Sequence, residues 1–309
     1  MITEQNAKFK GVFTALTTPM DEEGKLDLVS LERLAEHQIE QGVTGFYVGG
    51  STAEGFILTS EERMQILETV VRKASSRVTV IAHVGCISTN ESIMLARHAE
   101  SAGADAISAV VPFYYSVGEK EIEEHYCSIM SAVDLPFIMY YYPSATGVQL
   151  PFDFYERMAA HPKCIGVKFT SQQLFEMQQI RVRCGKYFLI FNGYDEVYSG
   201  GAMLGADAAI GSTFNIMPAL FSDIYRSIEA EDWNAVREKQ NEANQVIAHM
   251  LNFDVIPYEK YILYLQGVIR TPKVRQPLKQ YTEEERQAIE TFYKHSQTLQ
   301  RSKFSVKAD

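Results

Sequence analysis

Cysteine is scarce: Cys86, Cys127, Cys164 and Cys184 are the four in 309 residues, and no two form a CxxC pair. So few cannot staple a chain of this length, which excludes a disulfide scaffold and points to reduced thiols in the cytoplasm. Positive charge is also in deficit, with 29 Lys and Arg against 39 Asp and Glu, a net charge of −10. With an isoelectric point near 5.3 the chain has no net field to displace counterions from phosphates, which argues against nucleic acid as a partner. Small acidic ligands stay open, because they respond to the local field of a cleft. No uncharged apolar run approaches the roughly 18 residues that span a bilayer, and Met1–Lys10 is polar where a secretory signal is apolar. Membrane and secreted classes are set aside. The seven histidines show no HxH or HExxH spacing, so neither a metal nor any other cofactor is expected. A Gly-x-Gly-x-x-Gly fingerprint is missing after the first strand-like run, where Gly11 stands alone, and this disfavours an open doubly wound sheet.

What the chain does have is 46% hydrophobic residues in a regular alternation of short and long patterns. Strand-like runs fall at Gly11–Leu16, Gly45–Val48, Val78–Val84, Ala106–Val111, Phe137–Tyr142, Cys164–Thr170, Tyr187–Asn192 and Ala208–Ser212. Helical patterns separate them, among them Leu28–Gln41, Ser60–Ala74, Asn90–Ala102, Lys120–Ala132, Phe152–Ala160, Gln172–Cys184 and Glu196–Leu204. Thr59 with Glu62 reads as a capping box, because hydroxyl and carboxylate satisfy free amides at a helix start. Gly103-Ala104-Asp105-Ala106 and Gly205-Ala206-Asp207-Ala208 echo one another before the fourth and eighth strands, each glycine supplying a left-handed cap. The pair suggests a half-barrel repeat.

Eight β-then-α units before residue 215 are what a (β/α)₈ TIM barrel requires. Residues 1–215 hold the barrel strands with helices one to seven. Residues 216–309 hold the last barrel helix and a C-terminal helical extension, with Trp233–Leu251, Tyr258–Leu265 and Thr282–Thr298 helical. No Pro/Gly/Ser-rich linker divides the two, so one structural unit is expected.

The sixth strand carries the sharpest chemistry. Alternation sends Ile165, Val167 and Phe169 outward and leaves Gly166, Lys168 and Thr170 facing the interior. Burial depresses a lysine's pKa, and a neutral amine beside a carbonyl is a Schiff-base nucleophile. A strand-end lysine reaching solvent, or one paired with an acid, is the plainer reading. On the fifth strand Tyr140 sits where its hydroxyl can approach that amine and relay a proton, or simply pack. Gly49-Gly50-Ser51-Thr52-Ala53-Glu54-Gly55 permits close backbone approach and offers hydroxyls and amides to a small carboxylate; the alternative is an ordinary βα turn. Asp195 and Glu196 can accept hydrogen bonds from sugar hydroxyls or serve as helix-start acids. Gly211-Ser212-Thr213 repeats the small, hydroxyl-rich character, and His83, near a strand end, reads as a satisfied buried histidine.

Gly49-Gly50-Ser51-Thr52-x-Glu54, Pro112-Phe113-Tyr114-Tyr115, Tyr140 followed by Pro143 and Thr146-Gly147, and Gly166-Val167-Lys168-x-Thr170 occur in order across the barrel. Together they resemble the pyruvate-dependent class I aldolase/lyase family. Asn192–Glu196, Ile210–Met217 and Ile81–Cys86 are similar to its sialic-acid-cleaving branch. The synthase branch has an arginine where this chain has Ala145, which removes the fork for a second carboxylate. Ala53 stands where the family usually has glycine; a positive φ there costs about 1 kcal/mol.

The resemblance implies reversible aldol cleavage of sialic acid to pyruvate and N-acetylmannosamine through a Lys168 Schiff base, with Tyr140 as proton relay. It implies Ser51 and Thr52 as carboxylate holders and Thr170, Gly193, Asp195, Glu196, Gly211 and Ser212 as the sugar-tail site. It further implies a homotetramer in which Tyr114 reaches a neighbour's site. A sibling aldolase or synthase acting on another acid, and a non-catalytic sugar-acid-binding barrel, are the alternatives. Ala145 speaks against the synthase, and the presence of both Lys168 and Tyr140 against a silent barrel.

Overall fold

In the computed structural model, which describes residues 4–304, eight short strands alternate with helices. They are β1 (Gly11–Ala15), β2 (Gly45–Val48), β3 (Thr79–His83), β4 (Ala106–Val110), β5 (Phe137–Tyr141), β6 (Cys164–Phe169), β7 (Leu189–Asn192) and β8 (Ala208–Gly211). Neighbours pair in parallel in sequence order, and β8 returns to β1, so the sheet closes into a (β/α)₈ TIM barrel.

Strand alternation sorts the apolar residues into two layers. Phe46 and Val48 of β2, and Val167 and Phe169 of β6, pack outward against the helices. Phe13, Tyr47, Ile81, Ile138, Tyr140, Leu189 and Phe191 fill the interior. The Phe13 and Phe191 rings meet edge to face at 5.7 Å across that interior. Room for such rings comes from missing side chains. A Cβ on Gly45 would strike the Phe13 ring, and one on Gly166 would strike the Leu189 backbone. Ile165 departs from the expected outward direction, packing beside the interior cluster. The β5–β6 register shifts between Phe137 and Ile138, and that irregularity resets the alternation at Ile165.

The repeated Gly-Ala-Asp-Ala segments do the same work twice. Gly103 and Gly205 take positive φ, 87° and 102°. Asp105 accepts a hydrogen bond from the Val80 amide of β3, and Asp207 accepts one from the Ile190 amide of β7. In each case the aspartate satisfies an amide near the start of the preceding strand. The Thr59–Glu62 capping box is present in both directions.

Helix boundaries differ from the sequence pattern most clearly at three places. Thr282–Thr298 divides into Glu283–His295 and Gln297–Arg301 because Ser296 leaves helical geometry and its hydroxyl caps the second piece. Val255–Leu265 begins three residues before Tyr258; Pro257 lies in its first turn, where no intrahelical amide bond is lost. The segment after β7 enters its helix, Tyr198–Met203, through a 3₁₀ turn at Asp195–Val197.

The helices beyond residue 216 share the outer core: Tyr258, Ile262, Leu263 and Ile289 belong to the same buried cluster as the barrel's helical layer. Trp233–Met250 reaches the mouth at the C-terminal ends of the strands. There Gln240 Nε2 donates to the Asp195 carbonyl at 3.0 Å and Asn244 Nδ2 to the Glu196 carbonyl at 3.0 Å. Gln266, just past Val255–Leu265, donates to the Ile216 carbonyl at 2.9 Å. Among the described residues no helix is long and apolar enough to cross a membrane.

Candidate active site

The parallel register of β5 and β6 places Tyr140 directly beside Lys168, both near the C-terminal ends of their strands. Lys168 is 5% exposed, and its Nζ lies 4.2 Å from the Tyr140 ring centroid and 4.3 Å from that of Tyr47. Burial lowers its pKa to about 7, with Asp195 pulling weakly the other way. The ring faces favour the ammonium, a desolvated contact of this kind contributing about 2 kcal/mol. Loss of hydration opposes it by several kcal/mol, so the amine is substantially neutral near pH 7. The amine opens onto a cavity of about 240 Å³ at the barrel mouth.

The Tyr140 phenol is buried, and burial pushes its pKa well above the ordinary value; the hydroxyls of Ser51 and Thr170 act in the opposite sense. The phenol oxygen lies 3.5 Å from Ser51 Oγ. A phenol this reluctant to ionise holds its proton at rest, and passes one on only while receiving another.

Opposite these groups the segment after β2 folds into a tight turn. The Ala53 and Gly55 amides donate to the Gly50 carbonyl at 3.1 Å each, and the Glu54 amide to the Ser51 carbonyl at 3.0 Å. The Ser51 and Thr52 amides keep no acceptor among the described residues, and both residues line the cavity. Ala53 is buried without a positive φ, so the expected alanine strain does not arise. The left-handed residue is Glu54, at φ 62°. Its carboxylate is 3% exposed, forms an ion pair with Lys260, and accepts the Arg275 amide at 2.6 Å. Those partners lie on the C-terminal helical region, which therefore holds the turn from behind.

On the far wall Asp195 is 5% exposed, and burial raises its pKa to about 6. One carboxylate oxygen accepts from the Thr213 amide at 2.9 Å and its hydroxyl at 2.7 Å; the other has no hydrogen-bond partner among the described residues. That second oxygen occupies the space a Gly211 side chain would need. Glu196 accepts from Gln172 Nε2 at 3.0 Å. Thr170, Gly193, Asp195, Glu196 and Ser212 all line the cavity, while Gly211 stands behind Asp195. A Cβ on Gly193 would collide with the Thr170 hydroxyl.

One expected residue lies elsewhere. Tyr114 is 74% exposed, edge-on to Tyr115, and does not line this chain's cavity, because the segment after β4 carries it outward. Ala145 is exposed on the turn Pro143–Thr146. His83 is buried, its Nδ1 3.1 Å from the Gly49 carbonyl and its Nε2 accepting from the Val110 amide at 3.3 Å, and burial holds its pKa well below the ordinary value. It is a neutral structural histidine.

Sequence reasoning passed over Tyr47, although the alternation that buries Phe46 and Val48 outward directs Tyr47 inward. It also passed over Glu259 and Lys260, both 0% exposed, and Met250, Leu251 and Val255 at the cavity rim. Nothing local marks these C-terminal residues, since only the docking of their helices brings them to the mouth.

Comparison with known proteins bears on this geometry. The sequence profile described as the Dihydrodipicolinate synthetase family matches residues 8–296. N-acetylneuraminate lyase 2 of Escherichia coli O6:H1 is 42% identical over 271 residues, 87% of this chain and 88% of that one. The wild-type sialic acid aldolase of Ruminococcus gnavus superposes with a TM-score of 0.90 at 32% identity, covering 96% of this chain and 98% of that one. CdNal from Clostridium difficile, solved with mannosamine, superposes with a TM-score of 0.89 at 33% identity, covering 96% and 99%.

Proposed function

This chain belongs to the dihydrodipicolinate synthetase family, and from that premise we propose that it is a class I aldolase cleaving N-acetylneuraminate reversibly to pyruvate and N-acetylmannosamine. The observation that carries the reading is the buried Lys168 amine, with a pKa of about 7, beside the Tyr140 phenol at the floor of a polar-walled cavity. Relatives named as lyases and aldolases of sialic acid support the choice of substrate.

In this mechanism the Ser51 and Thr52 amides and hydroxyls hold the substrate carboxylate. Neutral Lys168 attacks the adjacent keto carbon of the open-chain sugar, and the carbinolamine loses water to give a protonated imine. The C3–C4 bonding pair then flows into the imine as an enamine, while the C4 hydroxyl proton leaves through Tyr140. The resting phenol accepts that proton only in concert with passing its own on, and the substrate carboxylate is the nearby acceptor we assign. The aldehyde departs as N-acetylmannosamine; protonation at C3 and hydrolysis return pyruvate and the free amine. Thr170, Gly193, Asp195, Glu196 and Ser212 receive the polyol chain. The assembly we propose is a cytoplasmic homotetramer in which the exposed Tyr114 enters a neighbour's cavity.

The deciding experiment is pyruvate release from N-acetylneuraminate, followed by coupling to lactate dehydrogenase, with shorter 2-keto-3-deoxy acids in parallel. Preferred turnover of a shorter acid, or none of sialic acid, overturns the reading. Tyr140→Phe keeps the ring against Lys168 and removes the relay, so kcat is expected to fall about 10²- to 10⁴-fold with pyruvate imine formation largely retained. Equal loss of both steps would assign the phenol to imine formation instead.

A further inference from the structure

Glu259 lies in the middle of Val255–Leu265, the helix whose first residues rim the cavity. It is 0% exposed, and neither carboxylate oxygen meets full hydrogen-bond geometry with a partner among the described residues. The polar side chain facing it is the Ser212 hydroxyl, and Asp195 is the nearby charge. Asp195 in turn keeps one carboxylate oxygen unpartnered, in the space that Gly211 leaves open. Two buried carboxyl groups with unfilled oxygens thus stand near one another behind one wall of the cavity, with Glu259 facing Ser212. Buried polar groups without partners are rare, because each forfeits its hydration. An apolar residue would serve better if packing were the only demand.

We propose that Glu259 is a positioning residue for the polyol half of the cavity: its carboxyl is set against Ser212 so that the serine hydroxyl and the Asp195 carboxylate present a fixed edge to the substrate chain. The assignment rests on the functional reading above. A carboxylic acid donates its proton to Ser212 Oγ, which leaves the serine's own hydrogen free for a sugar hydroxyl. A carboxylate would instead draw that hydrogen to itself and place a second negative charge near Asp195. Burial favours the acid form, raising the Glu259 pKa to about 8, with Asp195 adding to the effect. The charged groups around it are separable: burial raises the pKa of Asp195, on the β7 turn, to about 6 and lowers that of Lys168, on β6, to about 7, while the neighbouring Lys260 is turned to Glu54 and the Lys273 carbonyl. Ser212 and Thr213, from the β8 turn, carry no charge.

The test uses the full-length enzyme and measures KM for N-acetylneuraminate beside the apparent Kd for pyruvate from borohydride trapping, between pH 6 and pH 9. In the wild type the ratio of KM to that Kd is expected to rise as pH passes about 8. Glu259→Gln, which donates but does not titrate, is expected to keep the neutral-pH ratio and lose the alkaline rise. Glu259→Leu is expected to raise the ratio about tenfold at neutral pH, the loss of one well-placed hydrogen bond to substrate. An unchanged alkaline rise in Glu259→Gln overturns the assignment, even if the leucine variant does not fold; so does an unchanged ratio in Glu259→Leu. A wild type that does not cleave N-acetylneuraminate removes the functional reading and this assignment together, whereas an active wild type with unaltered variants removes the assignment alone.

Discussion

Lys168→Met is expected to abolish the pyruvate adduct trapped by borohydride and to lower kcat for sialic acid cleavage by roughly 10⁶-fold, the low end of what enzymes supply over the uncatalysed reaction. Methionine is close to lysine in length and reaches the same gap between the Tyr47 and Tyr140 rings, so the fold survives while the amine does not. In the wild type the trapping rate should climb as pH rises through about 7, where the buried amine loses its proton, and level off above it. The sign follows from burial: desolvation destabilises the ammonium, so the reactive free base appears well below the pH an exposed lysine would need. Labelling that persists in Lys168→Met would move the nucleophile to another residue. Trapping that begins only above about pH 9 would mean the amine is hydrated in solution, at odds with its 5% exposure.

The second large effect belongs to a residue that does no chemistry. Glu54→Gln preserves an acceptor for the Arg275 amide but leaves the fully buried Lys260 ammonium facing a neutral amide. Removing one partner of a buried pair costs about 3–5 kcal/mol, because the surviving charge keeps its desolvation penalty with only the Lys273 carbonyl, at 2.8 Å, to offset it. For a domain of this size that is a fall in Tm of about 5–8 °C. The double variant Glu54→Gln/Lys260→Met should recover part of the loss, since no charge is then left buried although the Lys273 carbonyl loses its donor. Glu54 also ends the Ser51–Thr52 turn, so the single variant should weaken pyruvate binding as the amides lose their fixed direction. A Tm within 2 °C of wild type in Glu54→Gln would show that the Lys273 carbonyl is sufficient to hold the Lys260 ammonium.

These two residues differ in how visible they are from sequence. Lys168 stands out because alternation along β6 puts it among apolar interior positions, where a lysine is costly. Glu54 was visible only as part of a motif, and nothing near it in sequence announces a fully buried partner 206 positions away, at Lys260. The Gly-Ala-Asp-Ala echo was legible as a repeat, yet the aspartate's role at the strand start appeared only with β3 and β7 beside it. Ile165 went the wrong way because a register shift between strands leaves no local trace.

Taken by itself, the amino-acid order determined the alternation of strands and helices, the closed barrel and the inward direction of Lys168 and Tyr140. All of these follow from periodicities of two and 3.6 residues that act over short stretches of chain. Tertiary structure alone decided the depth of the amine between two aromatic rings, the Glu54–Lys260 ion pair, the placement of Glu259 behind Ser212 and the outward position of Tyr114. Burial and electrostatic coupling depend on which distant segments dock together, and that is a property of the closed barrel with its C-terminal helices in place.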